Sequence, residues 1–300
     1  MTEEIAPELK QLGMITDALW TDYDQDQDLD LFIVGEWMPL TIFNNQNGIF
    51  RDVTKKVGFE QSNGFWNCLE AGDFDQDGDT DFVIGNHGLN TRLKASPNKS
   101  LSMLVNDFDN NRTAEQIISV YNGDKSYPLV LRHDLIMQLP GLKKKYLYYE
   151  NYKEQTVEDI FPEKLIRTSA KVYIYNTQSS IAWNQGNGEF LLKALPVEAQ
   201  FAPVYGLLVK DFDQDGNPDI LMGGNFYRSK PEIGIYNGSY GLMMLGIGNG
   251  DFKVLKAGES GFQVKGEIRD IECLQINGEE RILVARNNDS LLVFDYTSPD

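Results

Sequence analysis

The 300-residue chain is poor in the residues from which most catalytic and redox sites are made, with two histidines and two cysteines. A Ser-His-Asp arrangement would have only His87 or His133 to draw on, and neither stands in a catalytic signature. Two cysteines exclude a disulfide-dense scaffold. Cys68 and Cys273 either pair in an exported protein or lie buried in the strand-like apolar segments around them. Basic residues are also few. Against 45 acids the 27 lysines and arginines leave a net charge of −18, which argues against nucleic acid or an anionic membrane surface as the main partner. No apolar run approaches the ~18 residues of a membrane span, so direct membrane insertion is not expected. The start, Met1-Thr-Glu-Glu-Ile-Ala-Pro-Glu-Leu-Lys10, lacks the apolar stretch of a signal peptide. What the chain does have is 41% hydrophobic and 11% aromatic residues, enough to bury a sizeable core.

The acid is concentrated in four places. Asp22-Tyr-Asp-Gln-Asp-Gln-Asp-Leu-Asp30, Asp73-Phe-Asp-Gln-Asp-Gly-Asp-Thr-Asp81, Asp107-Phe-Asp-Asn-Asn-Arg-Thr-Ala-Glu115 and Asp211-Phe-Asp-Gln-Asp-Gly-Asn-Pro-Asp219 share one pattern. Each has oxygen-bearing side chains at positions 1, 3, 5, 7 and 9 and an aromatic at position 2. The ligand candidates are therefore Asp22, Asp24, Asp26, Asp28 and Asp30; Asp73, Asp75, Asp77, Asp79 and Asp81; Asp107, Asp109, Asn111, Thr113 and Glu115; and Asp211, Asp213, Asp215, Asn217 and Asp219. Seventeen of the 45 acids fall in these loops. So many like charges repel unless cations neutralise them. An all-oxygen set without His or Cys selects a hard cation, and calcium accepts such flexible, oxygen-rich loops more readily than magnesium does.

The first half of the loop, D-x-D-x-D-G, resembles an EF-hand, but position 12 is Ile33, Ile84, Ile118 or Met222 where an EF-hand needs a bidentate Glu. The apolar runs that follow, Leu-Phe-Ile-Val-Gly35, Phe-Val-Ile-Gly85 and Ile-Leu-Met-Gly223, read as short buried strands. Position 9 thus closes the site, and the loop joins two strands. Position 6 calls for positive φ, which Gly78 and Gly216 supply and Gln27 and Arg112 do not. Of up to four calcium ions, the tightest are expected at 73–81 and 211–219 and the weakest at 107–115. Arg281-Ile-Leu-Val-Ala-Arg286 aligns with Asp219-Ile-Leu-Met-Gly-Gly224, which would put Cys273, Gln275, Asn277, Gly278 and Arg281 on loop positions of a repeat that has lost its metal.

Hairpin signals complete the unit: Asn47-Gly48, Asn187-Gly188 and Asn249-Gly250 each precede an aromatic by one residue. Strand, acidic loop, strand and hairpin recur over about 50 residues, the size of a four-stranded propeller blade. The segment His133–Thr168, rich in leucine and long side chains and punctuated by Pro140 and Pro162, reads instead as a helical insertion. Lys143–Lys145 reads as a solvated helix face. Trp20, Trp37, Trp66 and Trp183 read as blade-packing residues. The loops Gly35–Pro39 and Gly85–Asn90, following the strands after the acidic loops, are the expected ligand face.

The motif D-F-D-x-D-G-x-x-D followed by an apolar strand ending in Gly resembles the FG-GAP/VCBS repeat of integrin-α-like propellers. The wider run is similar to the large VCBS-repeat surface proteins of Bacteroidetes-type bacteria, grouped with CRTAC1-like proteins. Asp17-Ala-Leu-Trp-Thr-Asp-Tyr-Asp24, Val34-Gly-Glu-Trp-Met-Pro39, Gly85-Asn-His-Gly-Leu-Asn90 and Glu198-Ala-Gln-Phe-Ala-Pro-Val-Tyr-Gly206 carry that likeness, as does the helical insertion after Arg132-His-Asp-Leu-Ile136. The resemblance implies an all-β propeller of seven or eight blades, while the length of this chain leaves room for a propeller or partial propeller of about four to six four-stranded blades with one short helical insertion at 133–168. The whole chain, 1–300, would be one propeller region with repeats near 14–60, 61–125, 169–200, 201–256 and 257–297. The resemblance further implies a calcium-binding module outside the cell or on its surface, its signal peptide and further propeller blades lying outside this sequence, with an unidentified protein or glycan as ligand. The alternative is a calcium-dependent, lyase-like polysaccharide enzyme on the same scaffold, for which no spacing selects catalytic residues.

Overall fold

The computed structural model describes residues 2–230 and 233–295. The chain forms two compact units, one of residues up to 92 together with those from 177 onward, the other of residues 93–176.

The first unit opens with β1 (Met14–Thr21), β2 (Asp30–Met38), β3 (Thr41–Gln46) and β4 (Ile49–Asp52), an antiparallel sheet in that order, with β5 (Gly64–Phe65) pairing to the end of β2. A run such as Leu31-Phe-Ile-Val34 is apolar on both sides and needs cover on both faces. Phe32 and Val34 face the next sheet, while Leu31 and Ile33 pack on the other face with Leu9 and Leu12. The second sheet begins with β6 (Cys68–Gly72) and β7 (Asp81–Gly85).

Here the chain leaves for the second unit. It forms β8 (Leu101–Asn106), β9 (Glu115–Asn122) and β10 (Lys125–Pro128), then short helices at Arg132–Gln138, Val157–Ile160 and Glu163–Thr168, then β11 (Ala170–Ile174), which pairs back onto β8. Leu104, Phe108 and Ile117 from this sheet bury against Leu135, Leu139, Ile160 and Phe161 of the helical stretch, so the unit has its own core.

The chain returns as β12 (Ser180–Asn184) and β13 (Phe190–Ala194). β12 lies beside β7, with Ser180 opposite Ile84 and Ala182 opposite Phe82, giving the order β13-β12-β7-β6. A third sheet follows, β14 (Val204–Lys210), β15 (Asp219–Gly224), β16 (Leu242–Gly246) and β17 (Phe252–Leu255), and then a three-stranded one, β18 (Ile268–Ile276), β19 (Glu279–Arg286) and β20 (Leu292–Asp295).

Within the first unit these sheets stack in chain order, and strand alternation shows how. In β7, Phe82 and Ile84 join the core shared with the first sheet, and Val83 the core shared with the third. In β15, Ile220 and Met222 face the second sheet while Leu221 faces the last. The first strands of successive sheets lie side by side: the backbone N–H of Leu69 in β6 donates to Asp17 Oδ2 of β1 at 3.0 Å. Such close approach needs glycine, since a Cβ on Gly206 of β14 would stand 3.2 Å from the backbone of Asp270 in β18. The fold is all-β and propeller-like, with few helices.

Several expectations need amending. The sheets do not follow the repeat boundaries at 61–125 and 169–200. Strands 68–85 and 180–194 make one sheet, and 101–128 with 170–174 make another in a separate compact unit. The helical segment connects β10 to β11 inside that second unit. The expected last repeat, to 297, runs beyond the described residues at 296–297. The register proposed for Cys273–Arg281 fails: β18 and β19 meet in a two-residue Asn277–Gly278 turn with φ of 54° and 86°, so the acidic loop has been replaced by a tight hairpin. Arg281 pairs there with Glu279 and Asp295. Finally, Gly35–Met38 is strand rather than loop, with an irregularity at Trp37 (φ 61°) between two pairings to β5.

Candidate cation loops

Three of the acidic loops join the first and second strands of sheets in the first unit (β1 to β2, β6 to β7, β14 to β15), and the fourth joins β8 to β9 in the second unit. The position-2 aromatics Tyr23, Phe74, Phe108 and Phe212 are all buried and root each loop in a core. The backbone then wraps around its own carboxylates. The N–H of position 6 donates to position 1 in every loop: Gln27 to Asp22 at 3.0 Å, Gly78 to Asp73 at 3.1 Å, Arg112 to Asp107 at 2.8 Å and Gly216 to Asp211 at 2.9 Å. The N–H of position 7 donates to the position-5 side chain at 2.9 Å in Asp28–Asp26 and Asp79–Asp77, 2.7 Å in Thr113–Asn111 and 2.8 Å in Asn217–Asp215. The wrap requires positive φ at position 6 in all four, and Gln27 (75°) and Arg112 (70°) adopt it despite their side chains.

Position 9 is the buried anchor. One oxygen accepts from the position-2 N–H: Asp30 from Tyr23 at 3.4 Å, Asp81 from Phe74 at 3.2 Å, Glu115 from Phe108 at 2.9 Å and Asp219 from Phe212 at 2.7 Å. In the first unit the other oxygen takes an N–H from the third strand of the same sheet: Asn45 to Asp30 at 2.7 Å, Asn184 to Asp81 at 2.8 Å and Gly246 to Asp219 at 2.8 Å. Desolvation by burial outweighs these donors, pushing Asp30 and Asp219 up to about 6 and Asp81 up to about 7.

In each loop positions 1, 3 and 9 converge, with one oxygen from each lying within 4.8 Å of the others: Asp22, Asp24 and Asp30; Asp73, Asp75 and Asp81; Asp107, Asp109 and Glu115; Asp211, Asp213 and Asp219. The position-5 carboxylates Asp26, Asp77 and Asp215 and the position-7 carboxylates Asp28 and Asp79 stand outside those groups. The donor set fits a hard cation. Among the described residues no lysine or arginine pairs with a loop carboxylate. In the second loop, where the N–H of Asp77 bonds Asp75 rather than Asp73, Asp73 Oδ1 is buried without any hydrogen-bond partner.

Position 4 escaped the sequence reading. Gln25, Gln76, Asn110 and Gln214 all stand at φ of 60–61°. Gln25 Nε2 reaches into the loop of the next sheet, to Gly78 O at 2.9 Å and Asp79 Oδ1 at 2.8 Å; Gln76 Nε2 reaches Gly216 O and Asn217 Oδ1, both at 2.8 Å. The recurrence of glutamine at that position in three of four loops was the available signal.

The remaining candidates are structural in their surroundings. His87 sits between Phe65 and Tyr236, and burial lowers its pKa to about 4, so it is neutral at pH 7. In the second unit His133 bonds Tyr149 Oη at 2.8 Å and lies 3.2 Å from Asp134. Cys68 and Cys273 are free thiols. Trp66 and Trp183 are buried, whereas Trp20 is 55% exposed against Phe50.

Residues 22–84 match the FG-GAP-like repeat family, a stretch that takes in the first two loops and the strands after them. Among curated proteins none matches the chain. Among solved structures it is similar to a lectin of Agrocybe aegerita described for its specific recognition of non-reducing terminal N-acetylglucosamine, at 15% identity and a TM-score of 0.26, over 92% of this chain and 64% of that one. The chain thus spans less than two thirds of the length of that structure. No helix among the described residues is long and apolar enough to cross a membrane.

Proposed function

We propose that the protein is a calcium-stabilised, propeller-like binding or scaffold module that works outside the cell or at its surface. The observation that carries this reading is the fourfold recurrence of one cage: carboxylates at positions 1, 3 and 9 converging, fixed by the same backbone donors, with no lysine or arginine paired to them among the described residues. Positions 1, 3 and 9 would hold the ion, with the position-5 and position-7 side chains as further oxygen donors. Bound calcium neutralises the clustered charge and ties two strands at the loop. The protein's own share is preorganisation, since position 9 already bonds the loop to the third strand. The match of residues 22–84 to the FG-GAP-like repeat supports the same reading, as do the absence of histidine or cysteine from the cages and the net charge. The ligand would be a protein or glycan taken up on loops outside the cages, with calcium in a structural role and the loops at 73–81 and 211–219 the tightest.

Thermal melting of the full chain tests this, with calcium titrated against EDTA and magnesium as the control. Each occupied site adds RT ln(1 + [L]/Kd), about 2.7 kcal/mol at a hundred times Kd. A rise of many degrees with calcium alone supports the assignment. No shift, or an equal shift with magnesium, overturns it.

A further inference from the structure

We propose that the three loops of the first unit are coupled in series, with the position-4 glutamines transmitting the occupancy of one cation site to the next. The inference rests on the cation reading above and concerns how those sites act together.

Two bridges with the same geometry carry it. From loop 22–30, Gln25 donates both amide hydrogens to position 6 (the carbonyl of Gly78) and position 7 (the side chain of Asp79) of loop 73–81. From that loop, Gln76 donates to the corresponding atoms of loop 211–219, the carbonyl of Gly216 and the side chain of Asn217. The four distances fall between 2.8 and 2.9 Å. The substitution of Asn217 for the Asp79 of the preceding loop leaves the contact unchanged, because only the side-chain oxygen is used.

The gripped peptide is the one that aims the next loop's ligands. Its two ends send N–H groups to the position-1 and position-5 carboxylates: Gly78 to Asp73 and Asp79 to Asp77, then Gly216 to Asp211 and Asn217 to Asp215. At the sending end the glutamine lies between positions 3 and 5, on a backbone held in the left-handed region at 60° and 61°. An ion that fixes Asp24 and Asp26 therefore fixes the peptide on both sides of Gln25, and through its amide the turn of loop 73–81. Coupling of this kind is reciprocal, so the later sites favour the earlier ones equally. The series stops where it should. Gln214 stands at the same position and φ, but the following sheet has the Asn277–Gly278 hairpin where a receiving loop would be.

The test is a calcium titration by calorimetry on the full chain, comparing native protein, Asp22→Asn, Gln25→Asn and the double variant. Gln25 is exposed, and asparagine tolerates positive φ while shortening the reach, so the fold is not at stake. Asp22→Asn removes one site. It is expected to weaken the remaining first-unit sites roughly 3- to 10-fold, the effect of a modest hydrogen-bond contribution. In the Gln25→Asn background it should cost only its own site, and the double-mutant cycle isolates the difference. If Asp22→Asn leaves the other affinities unchanged, or weakens them equally with and without Gln25, the coupling is overturned while the cation sites stand. If native protein takes up no calcium, the cation reading falls and the coupling with it.

Discussion

At the scale of the residue, the loops show how far a motif overrides local preference. A left-handed backbone costs a non-glycine residue roughly 1 kcal/mol or more, yet Gln27 and Arg112 accept it because their N–H groups must point at Asp22 and Asp107. Gln27→Gly should accordingly stabilise the first unit by about 1 kcal/mol in urea unfolding without calcium. Arg112→Gly should do the same for the second unit and also tighten calcium there, since it removes a positive charge from the sequence of that loop. The opposite change, Gly78→Ala, meets no steric obstacle, as a Cβ there has open space around it, but it should lose about 1 kcal/mol through its φ of 92°. Equal stability of Gly78→Ala and native protein would show that the loop relaxes out of this conformation. The convergence of positions 1, 3 and 9 was legible in the spacing, but the same spacing offered Asp26, Asp28, Asp77, Asp79 and Asp215 as ligands, and these stand outside the convergent groups. The position-4 glutamines were not legible, since their partners lie 50 to 140 residues away.

At the scale of the element, the buried strands after the loops and the Asn-Gly hairpins were readable because each is a local pattern. Pairing was not. The segment Ile181-Ala-Trp-Asn184 carries the same kind of text as other third strands, and nothing in it says that its neighbour is β7, some 94 residues back along the chain. The Asn277–Gly278 turn misled for a related reason: the strand after it kept the apolar pattern of its counterparts while the loop before it had gone. Strand packing gives a sharp expectation of its own. Gly224→Ala would drive a methyl into the carbonyl of Pro203, so the two strands must separate, with a loss of more than about 2 kcal/mol. Urea unfolding of that variant checks it, and a loss near zero would mean that β14 and β15 lie further apart than described.

At the scale of the whole molecule, charge is divided unevenly. Residues 93–176 hold 12 basic and 10 acidic side chains, which leaves 15 basic against 35 acidic on the first unit, a charge of −20 that exceeds the net −18 of the chain; that unit also has three of the four loops. Calcium should therefore raise the melting of the first unit by more than that of the second, which calorimetric scans with and without EDTA would separate. Part of that charge has no cage. Asp17, Glu70, Asp270 and Glu272 project from the first strands of three sheets, and burial, aided by Glu272, Asp17 and Asp270, pushes Glu70 up to about 7. A raised carboxyl favours folding most fully below its ordinary value near 4.5, and that contribution is lost as pH rises through about 7. Glu70→Gln should thus gain on native protein between pH 5 and pH 8, by about 1 kcal/mol once screening by water is allowed for. A pH-independent difference would refute the charge argument.

The divided second sheet also has a consequence in time. β7 is made, the chain then builds an entire compact unit with its own core, and only afterwards does β12 arrive to pair with it. While residues 93–176 are unfolded, that pairing must close a long flexible loop; once they have condensed, the effective loop is short and the entropic barrier drops. Pairing of β7 with β12 is therefore expected to follow the condensation of residues 93–176. A cavity in its core, such as Leu135→Ala, should appear as a slower refolding phase in strands that Leu135 does not belong to.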